Sequence, residues 1–292
     1  MPICRVLAAA SLLLAALPSF AQVPDTVAFD SADGKLKLTG FLYLPDTKAW
    51  PGPRPAIVML HGRSGVYSSS AKKYDASTLA ARTGMWGKFW AERGYAGLYV
   101  DTFGPRGYPK GFEAGTNDGR RPPEINEITV RPYDAYMGLK YLRGRTDVQK
   151  DRVFLQGWSN GGSATLATMA EKTVGMGKPT PESGFRAAIA IYPACTPVTK
   201  HFGRDYRSYA PLLLLIGTAD EEVSYANCEK LALAGGGRNN IEFVRYPDAT
   251  HAYDAPNPKR MAVAANVAAG EDTKSRAEAF FGKFPASSKP AK

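Results

Sequence analysis

Short apolar runs recur along the chain at residues 56–60, 96–100, 153–156, 187–192, 212–216 and 241–246. Each is rich in branched residues and is bounded by turn-forming residues, which is the pattern of strands buried on both faces. Between and after them lie longer mixed segments at 85–93, 133–142, 162–172, 225–234 and 273–281, whose spacing predicts helices. Strand and helix alternate from residue 56 onward, so the pattern predicts an α/β fold: a mostly parallel, doubly wound sheet with helices on both faces. Ahead of it, residues 26–30 and 35–44 flank Asp33-Gly34 and read as an antiparallel hairpin, bringing the sheet to about eight strands.

Residues 103–130 break the rhythm. They are polar and rich in glycine and proline, and they follow the carboxyl end of a predicted strand, where open α/β sheets bind ligands. This stretch is expected to shape a substrate pocket.

The first residues divide differently. Arg5 precedes the apolar run Val6 to Leu17, and small residues follow up to Ala21, as in a secretory signal peptide. Cleavage is expected after Ala21, giving an exported protein, periplasmic or extracellular. Residues 22–284 then read as one domain and 285–292 as a disordered tail. A mature chain of about 270 residues buries a large core. The run at 6–17 is too short to span a bilayer, and no stable membrane insertion is expected.

With 37 Lys and Arg against 27 Asp and Glu, the formal charge is +10. The basic residues are scattered and no aromatic-basic interleaving occurs, so the charge reads as a solvated surface and not as a nucleic-acid interface. The composition leaves the oligomeric state open. Two cysteines, Cys195 and Cys228, remain after signal cleavage. An even pair in an oxidising compartment predicts a disulfide closing a loop of about 33 residues. No Cys and His spacing suggests a zinc site, and neither a metal nor an organic cofactor is expected.

The chemistry is carried by Gly157-Trp158-Ser159-Asn160-Gly161-Gly162, which places a serine between glycines where a strand gives way to a helix. Such a turn brings neighbouring backbone so close that side chains at Gly157 and Gly161 would clash, and it lifts the serine clear of the sheet at a helix N-terminus. Serine needs a base to remove its proton, and the base needs a carboxylate to orient it. In a sheet of this type the chain order is nucleophile, acid, histidine. Asp220 follows the run at 212–216, with Glu221 and Glu222 as neighbouring alternatives, and His251 follows the run at 241–246. His61 and His201 both precede the acid, and His61 is expected to be a structural residue of its turn. The N–H of Asn160, directly after the nucleophile, and the N–H of Arg63, in the turn after residues 56–60, are the expected oxyanion-hole donors. Arg106 is the candidate for gripping a substrate carboxylate, and Trp158, Tyr67 and Phe103 are candidates for an aromatic pocket wall, as is Tyr192.

With these motifs the chain resembles the dienelactone hydrolase family of the α/β-hydrolases over nearly all of the expected mature length. The resemblance rests on Leu60-His61-Gly62-Arg63-Ser64-Gly65, the run Val100 to Gly107, the serine turn, Gly217-Thr218-Ala219-Asp220 and Thr250-His251-Ala252-Tyr253-Asp254. It implies the α/β-hydrolase fold without a large cap domain. The namesake enzymes of that family carry a cysteine nucleophile and a glutamate after the third strand, where this chain has Ser159 and Gly62. Together these readings predict a serine hydrolase that cleaves a small-molecule carboxylic ester or lactone through an acyl-enzyme. A peptidase, amidase or acyltransferase would use the same three residues, and a catalytically silent binding protein would share the scaffold.

Overall fold

The computed structural model describes residues 23–116, 120–234 and 239–286. The expected signal peptide, and all but residues 285 and 286 of the expected tail, lie outside the described residues.

Eight strands form one sheet in the order β1-β2-β4-β3-β5-β6-β7-β8. The strands β1 (Asp25–Asp30) and β2 (Lys37–Tyr43) pair antiparallel about the turn at Gly34, and β2 runs antiparallel to β4 (Ala96–Asp101). From β4 onward every pairing is parallel, through β3 (Arg54–Leu60), β5 (Val148–Trp158), β6 (Ala188–Ile191), β7 (Leu212–Gly217) and β8 (Ile241–Tyr246). The central strands are buried because helices cover both faces, which is why they read as continuous apolar runs. The chain order reverses between β3 and β5, so their carboxyl ends flank a topological switch point, and the serine turn stands there.

The helices are α1 (Ala81–Ala91), α2 (Arg131–Arg143), α3 (Asn160–Met169), α4 (Cys195–Phe202), α5 (Tyr225–Leu233), α6 (Pro258–Met261) and α7 (Ala264–Gly282). Each predicted strand is present, and β5 extends well ahead of its apolar run because Val148 pairs with Arg54 across a register shift. Three helices depart from expectation, among them the single turn of α6, which no predicted segment covers. The segment expected at 273–281 is the second half of the longer α7, and α4 was not anticipated, since its threonines and Pro197 mask a short face that buries only Cys195 and Val198. Among the described residues, no helix is long and apolar enough to cross a membrane.

Candidate active site

Leu155 to Trp158 run through the buried centre of the sheet, and the chain then turns sharply into α3. At the turn Ser159 has φ 53° and ψ −117°, a conformation that costs a non-glycine residue energy and places its side chain above the sheet edge. The turn is as tight as the glycine pattern requires. A Cβ on Gly157 would lie 2.2 Å from the Gly161 carbonyl oxygen, and one on Gly161 would lie 2.0 Å from the Leu60 carbonyl oxygen. The second contact also brings the start of α3 against the end of β3.

Three loops converge on Ser159. The loop after β7 brings Asp220, whose Oδ1 accepts the N–H groups of Glu222 and Val223, each at 2.9 Å. The loop after β8 brings His251, which is buried. Its Nδ1 lies 2.8 Å from Asp220 Oδ2 and 3.1 Å from Oδ1, and its Nε2 lies 2.9 Å from Ser159 Oγ. With the carboxylate accepting from Nδ1, the bare Nε2 is left to accept the serine proton. The two alternative acids have other partners. Glu221 accepts the His251 backbone N–H at 2.8 Å and pairs with Arg260 at 2.7 Å. Glu222 is gripped by the Arg63 guanidinium at 2.7 and 3.1 Å, and its carboxylate stands 3.7 Å from His251 Nε2. Burial works against the Glu222 charge, but the Arg63 bonds and the neighbouring His251 hold its carboxyl below the usual glutamate value.

The third loop follows β3. A Cβ on Gly62 would sit 3.6 Å from Ser159 Cβ, so this loop passes directly beside the serine. Asn160 is the first residue of α3, and its N–H has no acceptor within the helix. Both expected donors, Asn160 and Arg63, are therefore in segments adjoining Ser159.

A cavity of about 390 Å³ opens over Ser159. Thr116, Arg121, Asn126, Glu127 and Ile128 line it, so the stretch at 103–130 does contribute to the pocket wall. Ala194, Cys195, Thr196, Pro197 and Lys200 line it as well, as do Arg63 and Glu222. Cys195 and Cys228 are bridged, with Cα atoms 5.1 Å apart, which ties the cavity wall at the start of α4 to α5.

The four residues expected to bind substrate are placed elsewhere. Arg106 donates to both Asp134 oxygens at 2.8 and 2.9 Å and to the Thr102 carbonyl at 2.7 Å, so its guanidinium is committed to the protein. Trp158 is buried and donates to Asp254 at 2.9 Å, within a cluster of aromatic rings that includes Trp86 and Tyr99. Phe103 packs edge-on against the His61 ring, and Tyr67 packs against Phe41 and Tyr74. Tyr192 is also buried, with its hydroxyl between Arg82 and Asp254. These aromatics are core, and the cavity wall is mainly polar.

The chain matches the model of the dienelactone hydrolase family over residues 38–285. It belongs to that family. Family membership makes it a hydrolase of carboxylic ester bonds. The same fold recurs in a protein assigned to the dienelactone hydrolases from Klebsiella pneumoniae, at 18% identity and a TM-score of 0.64, with 89% of this chain and 100% of that one covered. It recurs in Thermogutta terrifontis esterase 2, at 18% identity and a TM-score of 0.63 over 92% of this chain and 97% of that one. An esterase of Pyrococcus furiosus aligns at 19% identity and a TM-score of 0.58, covering 89% and 92%. Comparison with curated proteins found no match.

Within this dienelactone hydrolase fold, two supporting residues were not among the candidates that the sequence offered. Asp254, three residues after His251, accepts from Trp86 at 2.7 Å, from Trp158 at 2.9 Å and from Tyr192, with Arg82 at 3.7 Å. Its place in the motif around His251 was visible, but its partners come from three distant segments. Arg131 falls between the stretch at 103–130 and the helix expected at 133–142, and it is fully buried at the start of α2.

Proposed function

We propose that this protein is an exported serine esterase in which Ser159, His251 and Asp220 form the catalytic triad. The observation that carries the reading is the continuous chain from Ser159 Oγ to His251 Nε2 at 2.9 Å and from His251 Nδ1 to Asp220 at 2.8 Å. As Oγ attacks the ester carbonyl, Nε2 takes its proton and the carbonyl electron pair moves to oxygen, where the N–H groups of Asn160 and Arg63 receive the charge. Collapse expels the alcohol, which leaves with the proton from Nε2, and a water repeats the sequence to free the acid and restore Ser159. Asp220 orients the ring and stabilises the imidazolium.

A cavity of about 390 Å³ with Arg63, Asn126, Glu127, Lys200 and Glu222 in its wall suits a short, polar ester or lactone better than a long aliphatic chain. Export is supported by the signal-like residues 1–21 and by the bridged cysteines, since such bonds persist in oxidising compartments. Thermogutta terrifontis esterase 2, which shares the fold, is described as phosphorylated by paraoxon, and an organophosphate is accordingly a suitable probe here.

The test is incubation of the mature protein with a fluorophosphonate, peptide mapping of the label, and hydrolysis of short p-nitrophenyl esters by wild type and Ser159→Ala. Labelling at Ser159 and a loss of turnover of about a thousandfold or more in the variant are expected. Near-normal turnover in Ser159→Ala would refute the triad.

A further inference from the structure

Behind the backbone segments flanking Ser159 lies a cation that the triad does not use. Arg131, the first residue of α2, is fully buried. Its Nη1 donates to the Asn160 side-chain oxygen, and its Nη2 donates to the His61 carbonyl at 2.8 Å. The guanidinium stands over the Phe103 ring, 5.1 Å from its centroid, and Nε has no hydrogen-bond partner among the described residues. Two buried acids share the region, but each has other partners: Asp134 is held by Arg106, and Asp101 accepts the N–H groups of Phe103 and Gly104 at 3.1 and 2.8 Å. Burial pushes the Arg131 guanidinium down to about 9, which leaves it charged at neutral pH. A buried cation without a carboxylate directly on it is costly, and its two bonds reach the two segments that hold the expected oxyanion donors.

His61 completes the frame. Its Nδ1 lies 2.7 Å from the Gly62 carbonyl, which can only accept, so Nδ1 carries the proton and Nε2 accepts the Thr102 N–H at 3.2 Å. Burial and the Arg131 charge hold the ring well below its ordinary value, so it is neutral. A trans peptide points its carbonyl and N–H in opposite directions, so holding the Gly62 oxygen fixes the direction of the Arg63 N–H.

We propose that Arg131 is the positioning residue of the oxyanion hole, tying the Asn160 side chain and the His61 carbonyl into one frame and setting a cation behind the two donors. This rests on the esterase reading. The charge acts on the oxygen only as it becomes negative, so it lowers the barrier without tightening substrate binding.

The experiment compares wild type, Arg131→Met and Arg131→Lys for folding by circular dichroism, kcat and KM on a p-nitrophenyl ester, and rate of labelling by a fluorophosphonate. In folded Arg131→Met, kcat and labelling rate are expected to fall about ten- to a hundredfold with KM within about threefold. Arg131→Lys keeps the charge and should recover part of kcat. A folded Arg131→Met within about threefold of wild type in kcat and labelling would overturn the proposal. Should Arg131→Met not fold, Asn160→Asp decides, because the carboxylate keeps the bond to Nη1 and cancels the cation. A fall of at least about tenfold in its kcat is expected, and an unchanged kcat overturns the proposal. A wild-type protein that fails to label at all would instead refute the esterase reading.

Discussion

Replacing both Cys195 and Cys228 by alanine tests how the bridge acts on the site. Alanine is the better replacement because both cysteines are at most 2% exposed, and serine hydroxyls would be left there without water. The bridge closes a sequence separation of 33 residues, for which the chain-entropy model gives about 3.7 kcal/mol at 25 °C. For a domain of this size that corresponds to a fall in Tm of about 7–15 °C. The kinetic effect should be unequal. Asp220 is held by the N–H groups of Glu222 and Val223 and by His251, none of which depends on sulfur, so kcat should stay within about threefold. Cys195 with its neighbours forms a wall of the cavity, so loosening it should raise KM. Thermal melts followed by circular dichroism, with and without dithiothreitol on wild type, and steady-state kinetics on a short ester measure both effects. A Tm within about 2 °C of wild type would refute the stability argument. A collapse of kcat in a folded variant would show that the bridge, rather than the local hydrogen bonds, places the acid.

Two further outcomes follow from the packing and the charges. Gly161→Ala puts a Cβ at 2.0 Å from the Leu60 carbonyl, so it should destabilise by about 3 kcal/mol or more or fail to fold, and a melt within about 2 °C of wild type would show the turn to be looser than described. Because the folded Glu222 carboxyl is held below its ordinary value, its bond to Arg63 contributes stability above about pH 4.3 that is lost as the pH falls through the lower folded value. In urea denaturation, wild type should therefore exceed Arg63→Met in stability at pH 7, with the gap narrowing toward pH 3, and a gap that is constant with pH would remove the ion pair as its cause.

The strands were legible because burial on both faces writes them as unbroken apolar runs, as at 56–60 and 212–216. Ser159, Asp220 and His251 were legible as a group because each stands just past such a run, and the sheet brings those ends together. The pocket was not. Trp158, Tyr67, Phe103 and Arg106 lie at or near strand ends in sequence, but which side chains face a cavity is decided by packing across the sheet. Arg106 is drawn away by Asp134, 28 residues distant, and Trp158 by Asp254, 96 residues distant. Glu222 and Arg63 pair across 159 residues, a contact that no local pattern encodes.

The cluster around Asp254 separates what can change in this protein from what cannot. The carboxylate sits on the loop that carries His251, and it is held by the residue preceding Ser159, by Tyr192 after β6 and by Trp86 on α1. The His251 loop and the strand leading to Ser159 are thus locked together through buried side chains, and none of these tryptophan, tyrosine and aspartate residues lines the cavity over Ser159. The cavity walls at 116–128 and 194–200 are built from other segments. In the esterase proposed above, sequence change there can retune which ester is accepted while the contacts among Ser159, His251 and Asp220 stay intact. Divergence of substrate within this scaffold should therefore accumulate in those two segments and spare the tryptophans around Asp254.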